Sequence, residues 1–114
     1  MAAVLTRIPG AAVTEGTVRE TFFDIGFDAN YATGGVAITA RSAGLLQIIG
    51  IDILGQALTT GAARTTNFYP EWDSATQKLQ FWGSNGAAPA ALAEMANATN
   101  ITTFLVRVRI VGFQ

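Results

Sequence analysis

The chain has 114 residues and a net charge of −1, with 13% charged against 50% hydrophobic residues. It contains no histidine and no cysteine, which removes the commonest general base, the commonest zinc ligand, thiol catalysis and any disulfide framework. A typical soluble domain carries about 25% charged residues, so much of this surface must be Ala, Gly, Thr, Ser and Asn, a composition that favours coverage by neighbouring subunits.

The length fits one domain. Basic residues are interspersed with acidic ones rather than gathered into a stripe, so the electrostatic footprint of a nucleic-acid binder is missing. No apolar run is long enough to span a bilayer. Residues 1–13 are interrupted by Pro9 and Gly10 and lack the basic end and unbroken apolar run of a secretion signal. That pattern predicts a protein made and folded in a cytoplasm. Residues 1–16 read as an N-terminal arm that orders on a neighbouring surface. Residues 17–114 read as one β-sandwich domain.

In residues 17–28, Phe23, Ile25 and Phe27 alternate with Asp24, Gly26 and Asp28, the period of a strand with one buried face. Phe22 beside Phe23 breaks the alternation and predicts a bulge or a second buried face. Residues 30–35 (NYATGG) collect turn formers, after which Val36 and Ile38 resume an extended pattern. Residues 39–44 (TARSAG) predict a short helical turn capped by Thr39 and stopped by Gly44. Residues 45–54 (LLQIIGIDIL) are apolar on both faces, as in a central strand covered on both sides. A buried helix has a similar composition, but Ile48, Ile49, Ile51 and Ile53 favour the pleated form.

Residues 56–67 have weak periodicity and read as a strand edge followed by a long loop. Two aromatic runs, residues 67–72 (NFYPEW) and 78–82 (KLQFW), flank residues 73–77 (DSATQ), a hairpin signal. Pro70 cannot donate to a ladder, which places its strand at an edge or a bulge. Residues 83–91 read as a loop, 89–95 as a loop or one helical turn, and 97–100 as a turn. In the last strand, residues 102–113, Phe104, Val106, Val108 and Ile110 share one face, with Arg107 and Arg109 on the other. Six to eight strands with at most one short helix predict an all-β, antiparallel, jelly-roll-like sandwich.

Few constellations bear on chemistry. Ser42, Ser74 and Ser84 all lie in turn-like stretches without a base nearby in sequence, so turn roles are favoured over nucleophilic ones. Asp24, Asp28 and Asp52 offer carboxylate pairs of the kind that hydrolyse glycosides or hold calcium. The plainer reading has Asp24 and Asp28 facing water and Asp52 paired with an arginine, as a buried ion pair that fixes register. Tyr69, Trp72, Phe81 and Trp82 form either a stacking platform for sugars or bases, or core on one face and subunit contact on the other. The scarcity of accompanying polar groups favours the second. The glycosylation-type triplets at Asn97 and Asn100 read as turns, and Gly34 and Gly35 lack the spacing and lysine of a phosphate loop. No catalytic, cofactor-binding or metal-ligating residue is assigned, and an enzyme is not expected.

One resemblance emerges from the motifs together. Tyr31-Ala32-Thr33-Gly34-Gly35-Val36-Ala37-Ile38-Thr39 resembles the Tyr-x-Thr-Gly-Gly-x-x-Leu-Thr segment of small structural proteins encoded by tailed phages. It is followed here, as there, by a short turn and a Gly-Leu, Gly44-Leu45, entering an apolar strand. The stretch from Trp72-Asp73 to Lys78-Leu79 resembles their Tyr-Asp-x-x-x-x-Lys-Leu turn, with Gln77 where the family usually has Gly. Glu94-Met95-Ala96-Asn97-Ala98-Thr99-Asn100-Ile101 is similar to their Glu-Val-x-Asn-x-Thr-Asp-Leu, and a Val106-Arg107-Val108 strand with Gly112 near its end completes the match.

The resemblance covers most of the chain from about Thr17 onward. It implies a virion component of the capsid decoration or cement type: a β-sandwich that clusters, with trimers favoured, on the outside of a phage head and binds the major capsid protein. No cofactor, nucleic-acid or membrane partner is expected. A carbohydrate- or receptor-binding module using the aromatic hairpin, and a head-completion or tail-tube subunit, stand as alternatives.

Overall fold

The period-two pattern of the last strand decides the architecture, because a strand with one strictly apolar face must lie with that face on a core. In the computed structural model, which describes residues 3–28, 30–58, 68–83 and 93–114, that strand is β8 (Phe104–Phe113). The other strands are β1 (Ala3–Glu15), β2 (Val18–Phe27), β3 (Val36–Ala37), β4 (Gln47–Leu58), β5 (Phe68–Asp73), β6 (Lys78–Gly83) and β7 (Ala93–Glu94). They form two antiparallel sheets. Sheet one has the order β1-β2-β8-β4; sheet two has the order β3-β6-β5, with β7 also paired to β6. The protein is an all-β sandwich.

The inner faces meet in one core. Phe23, Ile25 and Phe27 of β2, Ile48 and Ile51 of β4, and Phe104, Val106, Val108 and Ile110 of β8 face Leu79 and Phe81 of β6. Phe81 is fully buried and takes edge-on contacts from Phe27, Tyr31 and Phe104 at ring-centre distances of 5.8, 5.9 and 5.4 Å. Burying a side chain of this size contributes about 1.5–3 kcal/mol, and each edge-on aromatic pair adds about 0.5–1.5 kcal/mol. Phe81 is therefore the pin between the sheets.

Several local expectations hold. Residues Arg41–Ala43 make a single 3-10 turn that Gly44 ends at φ 74°; its N-cap is Ala40, one residue past the expected Thr39, whose Oγ1 accepts from the Ser42 N–H at 3.2 Å. Pro70 lies on β5, at the edge of sheet two. The expected loops within 56–67 and 83–91 fall largely on residues 59–67 and 84–92, which lie outside the described residues. Of the stretch 89–95, the described part holds strand β7 and a buried Met95 in place of a helical turn.

Other expectations are corrected. The arm read over residues 1–16 is, over Ala3–Glu15, an edge strand paired with β2, its register breaking between Arg7 and Ala12. Its Ala3 and Leu5 pack against the core. The bulge expected at Phe22 lies on its partner strand: the β1–β2 register breaks between Arg7 and Ala12, opposite Phe22, whereas the β2–β8 register runs unbroken from Val18 to Ile25 and Phe22 turns to the outer face. The run 45–54 is not a central strand. It enters β4, the edge of sheet one, with register shifts between Ile48 and Gly50 and between Ile53 and Gly55. The last strand starts at Phe104 rather than Thr102, because Asn100 Oδ1 accepts from both the Thr102 N–H and its hydroxyl and holds a turn there.

Candidate interaction surfaces

The two bulges on β4 shape its outer side. A bulge places an extra residue opposite one partner. Here Ile49 and Leu54 are the residues left out of register, and they are 49% and 53% exposed. Leu46, just before β4, is 81% exposed. It is tied to β8 by its N–H, which donates to the Phe113 carbonyl at 2.7 Å, and Phe113 is itself exposed. Along β1, Val4 lies opposite Gly26 and Val13 opposite Glu20, and both valines are half exposed or more. Sheet one thus has an outer face with an apolar fringe along both edge strands.

The centre of that face is charged but internally matched. Arg107 grips Asp24 with two hydrogen bonds, Nε to Oδ1 at 2.7 Å and a terminal nitrogen to Oδ2 at 2.9 Å. Arg109 lies between Phe22 on β2 and Asp52 on β4. It bonds Asp52 Oδ2 through both Nε and a terminal nitrogen, and reaches Glu20 Oε1 at 2.9 Å. The Arg107 hydrogen bond holds the Asp24 carboxyl below its ordinary range, and Asp52 and Asp24 in turn raise the two guanidinium groups. Asp52 therefore pairs with an arginine, but in the open rather than buried. Exposed pairs contribute little to stability; their effect here is to leave the face with little unmatched charge. Gly55 opposite Arg107 leaves an open hollow of about 280 Å³ lined by Asp24, Gly55, Gln56, Leu105 and Arg107.

The resemblance motifs meet beneath sheet two. Tyr31 is buried, and its hydroxyl donates to Glu94 Oε2 at 2.5 Å, the same oxygen that accepts the Gly34 N–H at 2.6 Å. Main-chain bonds join Tyr31 N–H to the Thr99 carbonyl and Ala98 N–H to the Tyr31 carbonyl, both at 2.7 Å. Asn97 Oδ1 accepts from the Thr33 N–H at 3.2 Å. Burial, followed by the Glu94 carboxylate, raises the Tyr31 phenol well above its usual value. Gly35 has φ 109°, and a Cβ there would sit 2.7 Å from the Leu79 carbonyl oxygen, so only glycine fits. The Tyr-x-Thr-Gly-Gly and Glu-x-x-Asn-x-Thr segments are thus two halves of one lock whose polar groups serve each other.

The aromatic hairpin divides between faces. Phe81 and Trp72 point to the core, whereas Tyr69, 61% exposed, lies opposite Trp82 on the outer side of sheet two. Ser42 donates to the Thr39 carbonyl and Asn100 holds its turn, as structural residues do; Ser84 is outside the described residues. Among the described residues no group of three or more carboxylate side chains is gathered as a metal site would need, and no helix is long and apolar enough to cross a membrane. Sequence reasoning missed Glu94 as a part-buried acceptor and missed the outward turn of Ile49 and Leu54. The signals for the latter were the two-sided apolar pattern of residues 45–54 and the glycines Gly50 and Gly55 that follow the two side chains. No protein-family profile matches the chain, and neither the curated proteins nor the solved structures contain a significant match.

Proposed function

We propose that this chain is a structural component of a tailed-phage virion, a capsid decoration or cement protein that docks on the outside of the head through the outer face of sheet one. The observation that supports it is the outer side of β4: residues 45–54 are apolar on both faces, and the described residues cover only one of them. Leu46, Ile49, Leu54 and Phe113 lie beside a charge-matched centre, which suits a protein contact better than permanent exposure to water. The motif resemblance supplies the kind of particle.

In this reading the work is mechanical. A rigid sandwich spans joints between major capsid protein subunits, and the buried area resists their separation. Many identical copies add their modest contacts across one particle. The two free edges of sheet one, β1 and β4, offer contacts between copies, with a trimer as the favoured cluster.

The test is occupancy on purified heads of the phage that encodes the chain. Wild-type protein should co-sediment with heads, and an Ile49→Lys, Leu54→Lys variant should stay in the supernatant while keeping its unfolding midpoint. Co-sedimentation unchanged by the variant, or no association of the wild type with heads, overturns the proposal.

A further inference from the structure

The second outer face of the sandwich has a different chemistry. On β5 the outward side chains are Tyr69, Glu71 and Asp73; on β6 the residues opposite them are Trp82, Gln80 and Lys78. Each cross-strand pair is matched in kind: aromatic with aromatic, polar with polar, acid with base. The face therefore has an aromatic step, Tyr69 with Trp82, followed by a polar step, Glu71 with Gln80, roughly 6.6 Å further along the strands.

The polar step is held in place. Gln80 Oε1 accepts the Trp82 indole N–H at 2.8 Å, and Gln80 Nε2 donates to the Gly34 carbonyl at 3.0 Å. One hydrogen-bond network thus fixes both the amide and the indole before any ligand arrives, which lowers the ordering cost of binding. The amide keeps a second N–H and a second lone pair, and Glu71 presents an exposed carboxylate opposite it. Glu94, opposite Trp82 on β7, is already committed to Tyr31 and Gly34.

We propose that this face binds a neutral saccharide, with the C–H face of one pyranose ring on Tyr69 and Trp82 and its hydroxyls on Gln80 and Glu71. The step from rings to polar groups matches the span of one sugar ring and its substituents. Glu71 and Asp73 on the same face disfavour a phosphate backbone and acidic sugars, which sets a neutral saccharide above a nucleic acid. The site is on the sheet opposite the docking face, so it does not depend on the proposed function.

The test is a titration of the full chain with maltotriose, mannotriose, galactotriose and tri-N-acetylchitotriose, following the two indole N–H resonances by NMR. Trp72, which packs against the core, serves as an internal control. At least one sugar should move the Trp82 signal saturably with a Kd on the order of 1 mM, leaving Trp72 unmoved. Tyr69→Ala should weaken that binding at least about tenfold with an unchanged unfolding midpoint, Tyr69→Phe should retain it, and Ile49→Lys should bind as wild type. No saturable shift with any of the four sugars overturns the proposal. So does binding that survives Tyr69→Ala.

Discussion

The Tyr31 hydroxyl and the Glu94 carboxylate, 63 residues apart in the chain, meet at 2.5 Å at the side of the core. The same hydroxyl lies 3.4 Å from the Phe81 N–H, whose own side chain pins the two sheets together. Tyr31 therefore connects the turn after β2, the strand β7 and the centre of the core through one phenol.

Replacing Tyr31 by Phe keeps the ring and removes only the hydroxyl. Glu94 then retains the Gly34 N–H but loses its phenolic donor, and the Phe81 N–H loses its acceptor. A hydrogen bond to a charged group is worth about 1.5–3 kcal/mol. Tyr31→Phe should lower stability by about that amount in urea unfolding, with an unchanged slope. A midpoint equal to wild type would show that the lock is incidental.

The β5–β6 turn offers a gain. Gln77 has φ 57°, the left-handed region that glycine adopts most readily. A side chain in that region costs about 1–2 kcal/mol, offset in part by glycine's greater freedom in the unfolded chain. The Gln77 amide also bonds the exposed Ser74 carbonyl at 3.1 Å. Gln77→Gly should therefore raise stability by up to about 1 kcal/mol. Loss of stability instead would assign the larger role to the Ser74 contact.

The strands that read most clearly were those with one covered face. Phe104, Val106, Val108 and Ile110 alternate with Arg107 and Arg109 because β8 has core on one side and water on the other. For residues 45–54 the pattern records that both faces are apolar, but not what covers each. The covering for one face is sheet two; for the other, the described residues supply none. Bulges add a further difficulty: Ile49 and Leu54 leave the register just before Gly50 and Gly55, and a glycine inside a strand pattern marks a bulge without saying which way its neighbour then points. The Tyr31–Glu94 lock was illegible for another reason: each half reads correctly as a turn, and nothing local reports a partner some sixty residues away.

Thr21 presents the opposite case, a polar group without compensation. It is 1% exposed, and its hydroxyl finds no partner among the described residues. An unpaired buried hydroxyl costs about 1–3 kcal/mol, and valine has nearly the same shape. Thr21→Val should stabilise the domain by about 1 kcal/mol, read as a raised thermal midpoint. A lowered midpoint would mean that the hydroxyl is satisfied in solution.

Acid should weaken the fold through Asp24. Its carboxyl is held below the ordinary value of 3.8, chiefly by the Arg107 hydrogen bond. A group depressed in the folded state contributes its full stability above the unfolded pKa and loses it as the pH falls through the folded one. Asp73, whose carboxylate accepts from the Thr76 hydroxyl and the Ala75 N–H, acts in the same sense. The thermal midpoint should therefore fall below about pH 4, and the fall should be shallower in Asp24→Asn. Equal slopes in variant and wild type would remove Asp24 from the account. The effect is modest, because Arg107 is 57% exposed.

The apolar fringe of β4 predicts association. Ile49 and Leu54 project from bulges on an edge strand whose outer charges are already matched by Arg109. Natural edge strands are commonly blunted by lysine, proline, charge or bulges; β4 has no lysine and no proline, and its two bulges carry apolar rather than charged side chains. Burying apolar side chains yields about 25 cal/mol per Å², enough across several such residues to hold copies together. Light scattering on the full chain at micromolar concentration should therefore give a multiple of the 12.0 kDa chain mass, with three chains favoured. Ile49→Lys with Leu54→Lys should return it to a single chain without shifting the unfolding midpoint, since neither side chain belongs to the core. A wild-type chain that runs as a monomer would end the self-association and leave the fringe to a shell surface. A variant that stays oligomeric would move the contact to the other free edge, β1, where Val4 and Val13 are exposed.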